Sequence, residues 1–462
     1  MNNAIVRIQQ IGLRNFKNVE NGTIKFPSYG KPEPRITGAE IIGIYGQNGS
    51  GKTAVVDAMS MLKLVMSGKS LPEDAGDYIF KASDTAELKF IFTVEANENM
   101  YIVFYDMELS RCEESRALVS KEKIAYKKKA DGEFSNKATI MDFDSKEKEW
   151  VFKPLKNLKL LSEDDAENDV SLMVSKRMSQ KNRTSFIFSD DTHEIIKNID
   201  TFAQYAGIIL ALKHYANVNL FTIKSNDKRM ININLVIPFS FRIDNPKGVT
   251  QCSIPIAMST PSVVPLDSYK AVKQIMQQIN LVLGTIIPGL KIDIKNYGSQ
   301  LTQDGKEGVR VELVSARGEL EIPLRYESDG IKKIISILST MITMYNNPSV
   351  CMVVDELDSG IFEYLLGEIL QIINENAKGQ LIFTSHNLRP LEKLDADSLI
   401  FTTTNPKNRY YRFKGLKNKN NLRGEYYRSI NLGGQSESLY DETDHFEICR
   451  AFKIAGRLAD EN

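Results

Sequence analysis

The stretch EIIGIYGQNGSGKTAVVDAMSMLKLVMSG, residues 40–68, decides the fold. Its first six residues form an apolar run of the kind that becomes a strand buried on both faces. Residues 46–53, GQNGSGKT, satisfy G-x-x-x-x-G-K-[ST] in full. The part from Thr53 carries apolar residues at helical spacing and stops at Gly68. Strand, glycine turn and helix, in that order, make a phosphate cradle. Gly46, Gly49 and Gly51 permit a turn in which the amides of Gln47, Asn48, Ser50 and their neighbours point inward at phosphate oxygens. The helix N-terminus adds partial positive charge. Lys52 is expected to reach the β- and γ-phosphates of ATP, and Thr53 to hold Mg²⁺ through its hydroxyl. Such a pattern arises by accident in about one or two per cent of chains this long. The strand before it and the helix after it argue against accident.

Downstream, 349–354 is apolar and ends at Asp355 and Glu356. A buried strand puts these acids at the carboxyl end of the sheet, beside the P-loop. Asp355 is expected to bind Mg²⁺ directly or through water. Glu356 then orients and polarises the attacking water. Acids also simply favour a helix N-terminus, and the pair alone would be weak; its strand and the full P-loop upstream give it weight. The next strand, QLIFTSH, ends at His386, where an imidazole can contact the γ-phosphate or the water. A lone histidine is more often a surface loop residue, but this one ends a strand adjacent to the acidic one.

Around these motifs, 4–16 reads as a strand, a turn is expected at 20–22, and a second short strand at 23–26. Residues 87–108 read as a hairpin turned at 97–99. Residues 161–185, with an acidic run at 163–169, read as a mobile connection. Residues 201–217 and 266–286 are helical in pattern. From 291 to 325 the pattern is strand, turned at Asp304-Gly305. A helix (331–346), strand (349–354), helix (359–376) and strand (380–384) then alternate, which predicts a parallel sheet with covering helices.

Taken together, these pieces resemble the ABC-type ATPase head found in transporters and SMC proteins. In that class the order is P-loop, signature, acidic strand, D-loop and switch histidine. YESDGIKK, 326–333, stands at the signature position. Ser328 and Gly330 match its serine and second glycine, whereas Asp329 replaces the first glycine and Ile331 the usual glutamine. A plain helix N-cap reads the same way. Asp358, in LDSG, resembles the D-loop aspartate. No glutamine-loop motif follows the first helix. The resemblance implies a head-to-tail dimer with two ATP molecules at its interface, each capped by the opposing serine and helix tip.

A narrower resemblance is to the OLD-related AAA-type ATPases of bacterial defence and toxin loci. It rests on LRNFKNVENGTIKF, GQNGSGKT, SDGIKK, DELDSGI and TSH, with RSINLGG (428–434) as a further correspondence. In size and layout the ATPase half of the PARIS anti-phage system is similar. The motifs cover about the first 65 and last 135 residues. The implied fold class is α/β: an ABC-ATPase-like P-loop head with a mixed sheet, plus an inserted α+β lobe. The implied division is 1–90 and 291–462 for the head, with 91–290 as the insertion. The implied function is an ATP-hydrolysing sensor or scaffold subunit that controls a separate effector, a nuclease or toxin, in answer to a phage-encoded trigger. The alternative is a RecF-like DNA-repair ATPase.

Residues 87–325 show strands, turns and prolines rather than sustained a/d heptads, so a coiled-coil arm is not expected. After His386 fewer than 80 residues remain, and the effector is expected to be another polypeptide. Lysine plus arginine equals aspartate plus glutamate, 59 each; global charge therefore favours neither a nucleic-acid nor a membrane partner. Residues 407–423 hold seven basic residues and no acid, interleaved with Tyr410, Tyr411 and Phe413. Such a mix suits nucleic acid or an acidic mimic of it, but a solvated basic hairpin with its aromatics in the core is the simpler reading. Cys112, Cys252, Cys351 and Cys449 form no CxxC pair, and no signal peptide or membrane span is evident. The expected location is the cytoplasm.

Overall fold

The structure, a computed structural model, describes the chain except residues 1–3, 32, 34–35, 97, 114, 163–165, 226–230, 232–234, 246–247, 414–421, 433–436, 441–443 and 461–462. The first third runs β1 (Ile5–Phe16), β2 (Val19–Lys25), β3 (Glu40–Tyr45), α1 (Lys52–Met66), β4 (Thr85–Ala96), β5 (Asn99–Arg111), β6 (Ala117–Ala130), β7 (Glu133–Phe134) and β8 (Ala138–Asp144). The middle runs α2 (Leu155–Ser162), α3 (Ala166–Asn182), α4 (Asp190–Lys197), α5 (Ala203–His214), β9 (Leu220–Ile223), β10 (Val236–Asn245), β11 (Gly248–Ala257), β12 (Ser262–Pro265) and α6 (Leu266–Ile286). The last part runs β13 (Leu290–Leu301), β14 (Glu307–Arg317), β15 (Leu320–Pro323), α7 (Asp329–Asn346), β16 (Cys351–Val354), α8 (Glu363–Asn376), β17 (Gln380–Thr384), β18 (Leu399–Thr402), β19 (Tyr410–Tyr411), α9 (Leu422–Leu432) and α10 (His445–Asp460).

Two sheets carry the architecture. In the mixed sheet the strand order is β19-β18-β3-β17-β16-β9, parallel throughout except for β19. In the antiparallel sheet the order is β2-β1-β4-β5-β6, with β7 and β8 both paired to β6. Side chains alternate across the mixed sheet. Ile42, Ile44, Cys351, Val353 and Ile382 join α1 and the antiparallel sheet in one core. Ile41, Tyr45, Met352, Val354, Leu381 and Phe383 face α6, α7 and α8 in another. Because both faces are covered, these strands read in sequence as unbroken apolar runs.

The two sheets are clamped by a buried ion pair. Arg7 on β1 reaches Glu40 on β3 at 2.9 Å, both side chains 1% exposed. The guanidinium also donates to the carbonyls of Gly38, Pro348 and Lys378. Glu40 accepts from Ser28 and from Gln380, whose amide bonds both backbone groups of Ile8. Removing one charge leaves the other buried without its partner, which costs roughly 3–5 kcal/mol. An Arg7→Ala protein should therefore unfold at a clearly lower urea concentration, with a stability loss of about that size.

Most expected elements are present. β4 and β5 pair as the expected hairpin, with Ala96 opposite Asn99 and Asn97 outside the described residues; the Gly305 turn (φ 73) joins β13 to β14, and α6 covers 266–286. Two expectations need correction. The first turn lies at 17–18, with Lys17 at φ 54, and β2 runs straight through Gly22. That glycine gives clearance rather than a turn: a Cβ there would meet the Tyr410 ring at 2.5 Å. In 161–185, the described residues as far as 182 lie in α2 and α3, not in a loose connection. The side of α3 that faces the body offers Leu172, Ser175 and Ser179, so its packing has no apolar signature. The strand β4 crosses position 90 and pairs with β1 along its length, and β9 closes one edge of the mixed sheet. The middle of the chain thus contributes to both sheets. Among the described residues no helix is long and apolar enough to cross a membrane.

Candidate functional site: a P-loop cavity at the carboxyl end of the mixed sheet

Four parallel strand ends converge here. The P-loop leaves β3, Asp355 and Glu356 follow β16, His386 follows β17, and Thr402 ends β18. Gly46 (φ 150), Gly49 (φ 76) and Gly51 (φ 93) all adopt backbone that other residues avoid. A Cβ on Gly46 would overlap the Thr402 hydroxyl, while the space before Gly49 is open. Ser50 Oγ donates to Gln47 O at 2.6 Å and meets Thr402 Oγ1 at 2.5 Å. Tyr410 Oη donates to Gly51 O at 2.9 Å, and Asn18 to Gly49 O. The loop is thereby fixed from β18, β19 and the β1–β2 turn before any ligand arrives.

The cavity so formed holds about 320 Å³, with Lys17, Asn18, Gly49, Lys52, Glu356 and His386 among its walls. Lys52 folds back on its own loop, donating to Gly46 O at 2.7 Å and Gln47 O at 2.8 Å. Loss of solvation lowers its pKa, against the pull of the Asp355, Glu356 and Asp358 carboxylates. Phosphate oxygens placed at the open face of Gly49 would offer this ammonium stronger acceptors than its own carbonyls. Lys17 is fixed at the cavity by Asp57 at 2.5 Å, and Lys224 reaches the same carboxylate at 3.0 Å.

Asp355 is buried. Its Oδ1 accepts from Thr384 at 2.7 Å and lies 3.5 Å from Thr53 Oγ1; its Oδ2 accepts from Ser225 at 2.5 Å. One carboxylate and one hydroxyl at this spacing fit Mg²⁺, which uses few protein ligands and completes its shell with water and phosphate. Among the described residues no trio of His, Cys, Asp or Glu gathers for another kind of metal site.

Glu356 takes φ 45, a left-handed conformation unusual for a glutamate. Thr384 Oγ1 accepts its N–H at 2.7 Å, and Lys333 on α7 donates to its carbonyl oxygen. Its backbone is thus held at the cavity wall by two flanking elements. His386 is exposed at the rim. Desolvation and the nearby Lys52 ammonium hold its pKa below the ordinary value, so the ring is neutral at pH 7 and able to accept a proton or hydrogen bond.

Asp358 does not line the cavity. Its Oδ2 accepts the N–H groups of His386 (3.1 Å) and Asn387 (3.0 Å), which sets the histidine loop. Its Oδ1 is buried with no hydrogen-bond partner among the described residues. Ser328 and Gly330 also stand apart from the cavity. Ser328 caps α7, its Oγ accepting from Ile331 N at 3.4 Å, and Ser328 and Asp329 are exposed. Gly330 is buried against Gly360 (φ 76), in the turn after Asp358.

Sequence reasoning missed Lys17, Asn18, Ser225, Lys333, Thr384 and Thr402. Lys17 and Asn18 (in LRNFKNVENGTIKF), Lys333 (in SDGIKK) and Thr384 (in TSH) lie inside motifs already quoted, whereas Ser225 and Thr402 had no signal. The basic segment is also clarified. Tyr410 and Phe413 are buried; Arg409 binds Thr403 O and Asn18 O, and Arg412 binds Lys25 O. These aromatics are core and P-loop supports, not stacking platforms. Residues 414–421, and Gly433 and Gly434 of the RSINLGG stretch, lie outside the described residues.

No curated protein matches the chain. Among solved structures, an SMC head bound to the C-winged helix domain of ScpA shares 12% identity at TM-score 0.43, covering 88% of this chain and 98% of that one. The SMC head domain from Thermotoga maritima shares 15% at 0.38, covering 88% and 99%. The recombination mediator RecF with ATP shares 10% at 0.35, covering 83% and 94%. The AAA ATPase domain family matches residues 7–389, which contain the P-loop, both acidic strand-end residues and His386. An α/β chain with a complete P-loop cavity, matched over most of its length by one family, is an ATP-binding ATPase that belongs to the AAA ATPase domain family.

Proposed function

We propose that this ATPase works as a paired switch, in which two copies clasp ATP between the P-loop of one and the Ser328 helix tip of the other. One observation carries the pairing. Ser328 and Asp329 lie exposed at the tip of α7, while the cavity of the same chain is walled by the P-loop and strand ends without them. A donor-bearing helix tip facing solvent suits a phosphate brought by a second copy.

In this reading the amides of 46–53 and Lys52 hold the phosphates. Thr53 and Asp355 would hold Mg²⁺, which neutralises phosphate charge when bound. Glu356 takes a proton from the attacking water, with neutral His386 as second acceptor at the rim. Hydrolysis would release the pair. We assign the switch to a bacterial anti-phage system, as a sensor or scaffold subunit restraining a separate nuclease or toxin until a phage protein alters the assembly. What supports this is the motif set shared with OLD-related defence ATPases, on a chain whose residues between P-loop and signature fold into sheets and short helices rather than an arm. Residues 1–90 and 291–462 supply the residues that line the nucleotide cavity, and 91–290, which also lends strands to both sheets, supplies the surface for partner choice.

The test is Lys52→Ala. It should weaken ATP binding by at least about a hundredfold, as a charged phosphate contact worth roughly 3 kcal/mol is lost. It should also abolish protection when the locus is challenged with phage. Unchanged nucleotide affinity would overturn the site, and full protection by this variant would overturn the defence role. ATP-dependent, salt-sensitive DNA binding would move the assignment to RecF-type repair.

A further inference from the structure

Two helices show apolar faces that nothing in the described chain covers. On α3, Val170 (61% exposed), Met173, Val174 and Met178 recur at i, i+3, i+4 and i+8, on the side opposite buried Leu172, Ser175 and Ser179. On α10, every residue from 444 to 456 is exposed. Ile448, Phe452 (77% exposed) and Ala455 form one face there, with Ala451 beside them and Arg450 and Lys453 behind. Each helix lacks a partner of the kind the other supplies. An isolated helix this short is marginal in water, so an apolar face on a free helix implies a packed state elsewhere.

Charge sets the direction. α3 opens beside Asp169 and ends with Arg177 and Lys181; α10 opens with Asp444 and Glu447 and carries Lys453 further on. An antiparallel pairing puts Arg177 and Lys181 beside Asp444 and Glu447. A parallel pairing sets acid against acid.

The chain's own α3 is not covered by α10, and their attachment points lie far apart. Just before α10, Leu439 is buried, and Ser438 accepts a bond from Thr404, in the loop whose Arg409 bonds Asn21 on β2. By contrast, α3 is bonded through Lys176 and Gln180 to carbonyls at 144–150, at the end of β8. From β2 to β8 is five strand spacings, roughly 24 Å. The five residues from Leu439 to Asp444 span at most about 18 Å.

We propose that α10 of one copy packs antiparallel on α3 of a second copy of this chain, through a contact separate from the ATP sandwich. It joins copies without nucleotide.

The experiment uses full-length, nucleotide-free protein with Cys112→Ser and Cys449→Ser, which remove exposed thiols, together with Val174→Cys on the apolar face of α3 and Ala451→Cys beside Ile448 and Phe452 on α10. Under mild oxidation a species of twice the chain mass should appear on non-reducing gels. It should be absent when Ala451→Cys is left out or Phe452→Asp is added. By sedimentation of the otherwise unmodified protein, Phe452→Asp should raise the dimer dissociation constant by about 30-fold or more, the loss of one buried aromatic anchor. A disulfide closed within one chain would overturn the proposal, since α10 would then cover its own α3. No cross-link, with equal masses for Phe452→Asp and wild type, would overturn it too. ATP-dependent dimerisation of the Glu356→Gln protein reports on the sandwich separately, so the two readings fail independently.

Discussion

A Glu356→Gln protein should keep its affinity for ATP and turn it over at no more than about a hundredth of the wild-type rate. The substitution preserves length and shape, so the left-handed backbone at Glu356 and its bonds to Thr384 and Lys333 have no reason to move. What changes is proton affinity. An amide can hold the attacking water by a hydrogen bond but cannot accept its proton, and general-base catalysis by a positioned group contributes about 10²–10⁴-fold. Phosphate release at saturating ATP, set beside a binding isotherm, separates the two quantities. Equal turnover in the two proteins would remove Glu356 from the chemistry. The long-lived ATP state should also populate the paired form, so mass measured with and without ATP reads the sandwich in the same sample.

The second large effect concerns the contact between the signature and the turn after Asp358. A methyl group at Gly330 would overlap the carbonyl oxygen of Gly360 and stand 2.8 Å from its carbonyl carbon. Both partners are backbone, so neither can yield by a side-chain rotation. Gly330→Ala must therefore push α7 and 357–361 apart. It should cost about 1–3 kcal/mol, as overpacking does, and displace Asp358 from the amides of His386 and Asn387. ATP-dependent pairing should fall away while ATP binding to the isolated chain persists. A control lies on α6, where Gly284→Ala meets nothing within 4 Å and should be neutral or stabilising by up to about 1 kcal/mol. If Gly330→Ala unfolds in urea at the same point as Gly284→Ala and pairs normally, the contact has no such role.

The parts of this protein that repeat a local physical rule are legible in the sequence. The P-loop, the two apolar strands ending at Asp355 and His386, and helix α6 each announce themselves by glycine placement or by hydrophobic period. The parts that depend on a distant residue are not. Arg7 reads as one more charge in an alternating strand, and nothing in its neighbourhood points to Glu40, Pro348 or Lys378. Gly22 reads as a turn because its reason for being glycine is a tyrosine ring 388 positions away. Lys333 is a helix lysine like any other until α7 is set against the Glu356 carbonyl. The failure at α3 has a different cause: its buried side is small and polar and its apolar side faces solvent, so the pattern lacks the usual contrast.

The order β18-β3-β17 has a consequence for synthesis. The strand that launches the P-loop emerges from the ribosome early, yet both its neighbours are encoded more than 330 residues later. Until residues 380–402 leave the exit tunnel, β3 has two bare edges, and the Tyr410 and Thr402 hydroxyls that brace the loop do not yet exist. A nascent chain halted at residue 378 would carry every atom of the nucleotide cradle and should be unable to retain nucleotide. Long-separated strand pairing of this kind also leaves an apolar edge exposed during translation, a state in which chaperone contact is expected.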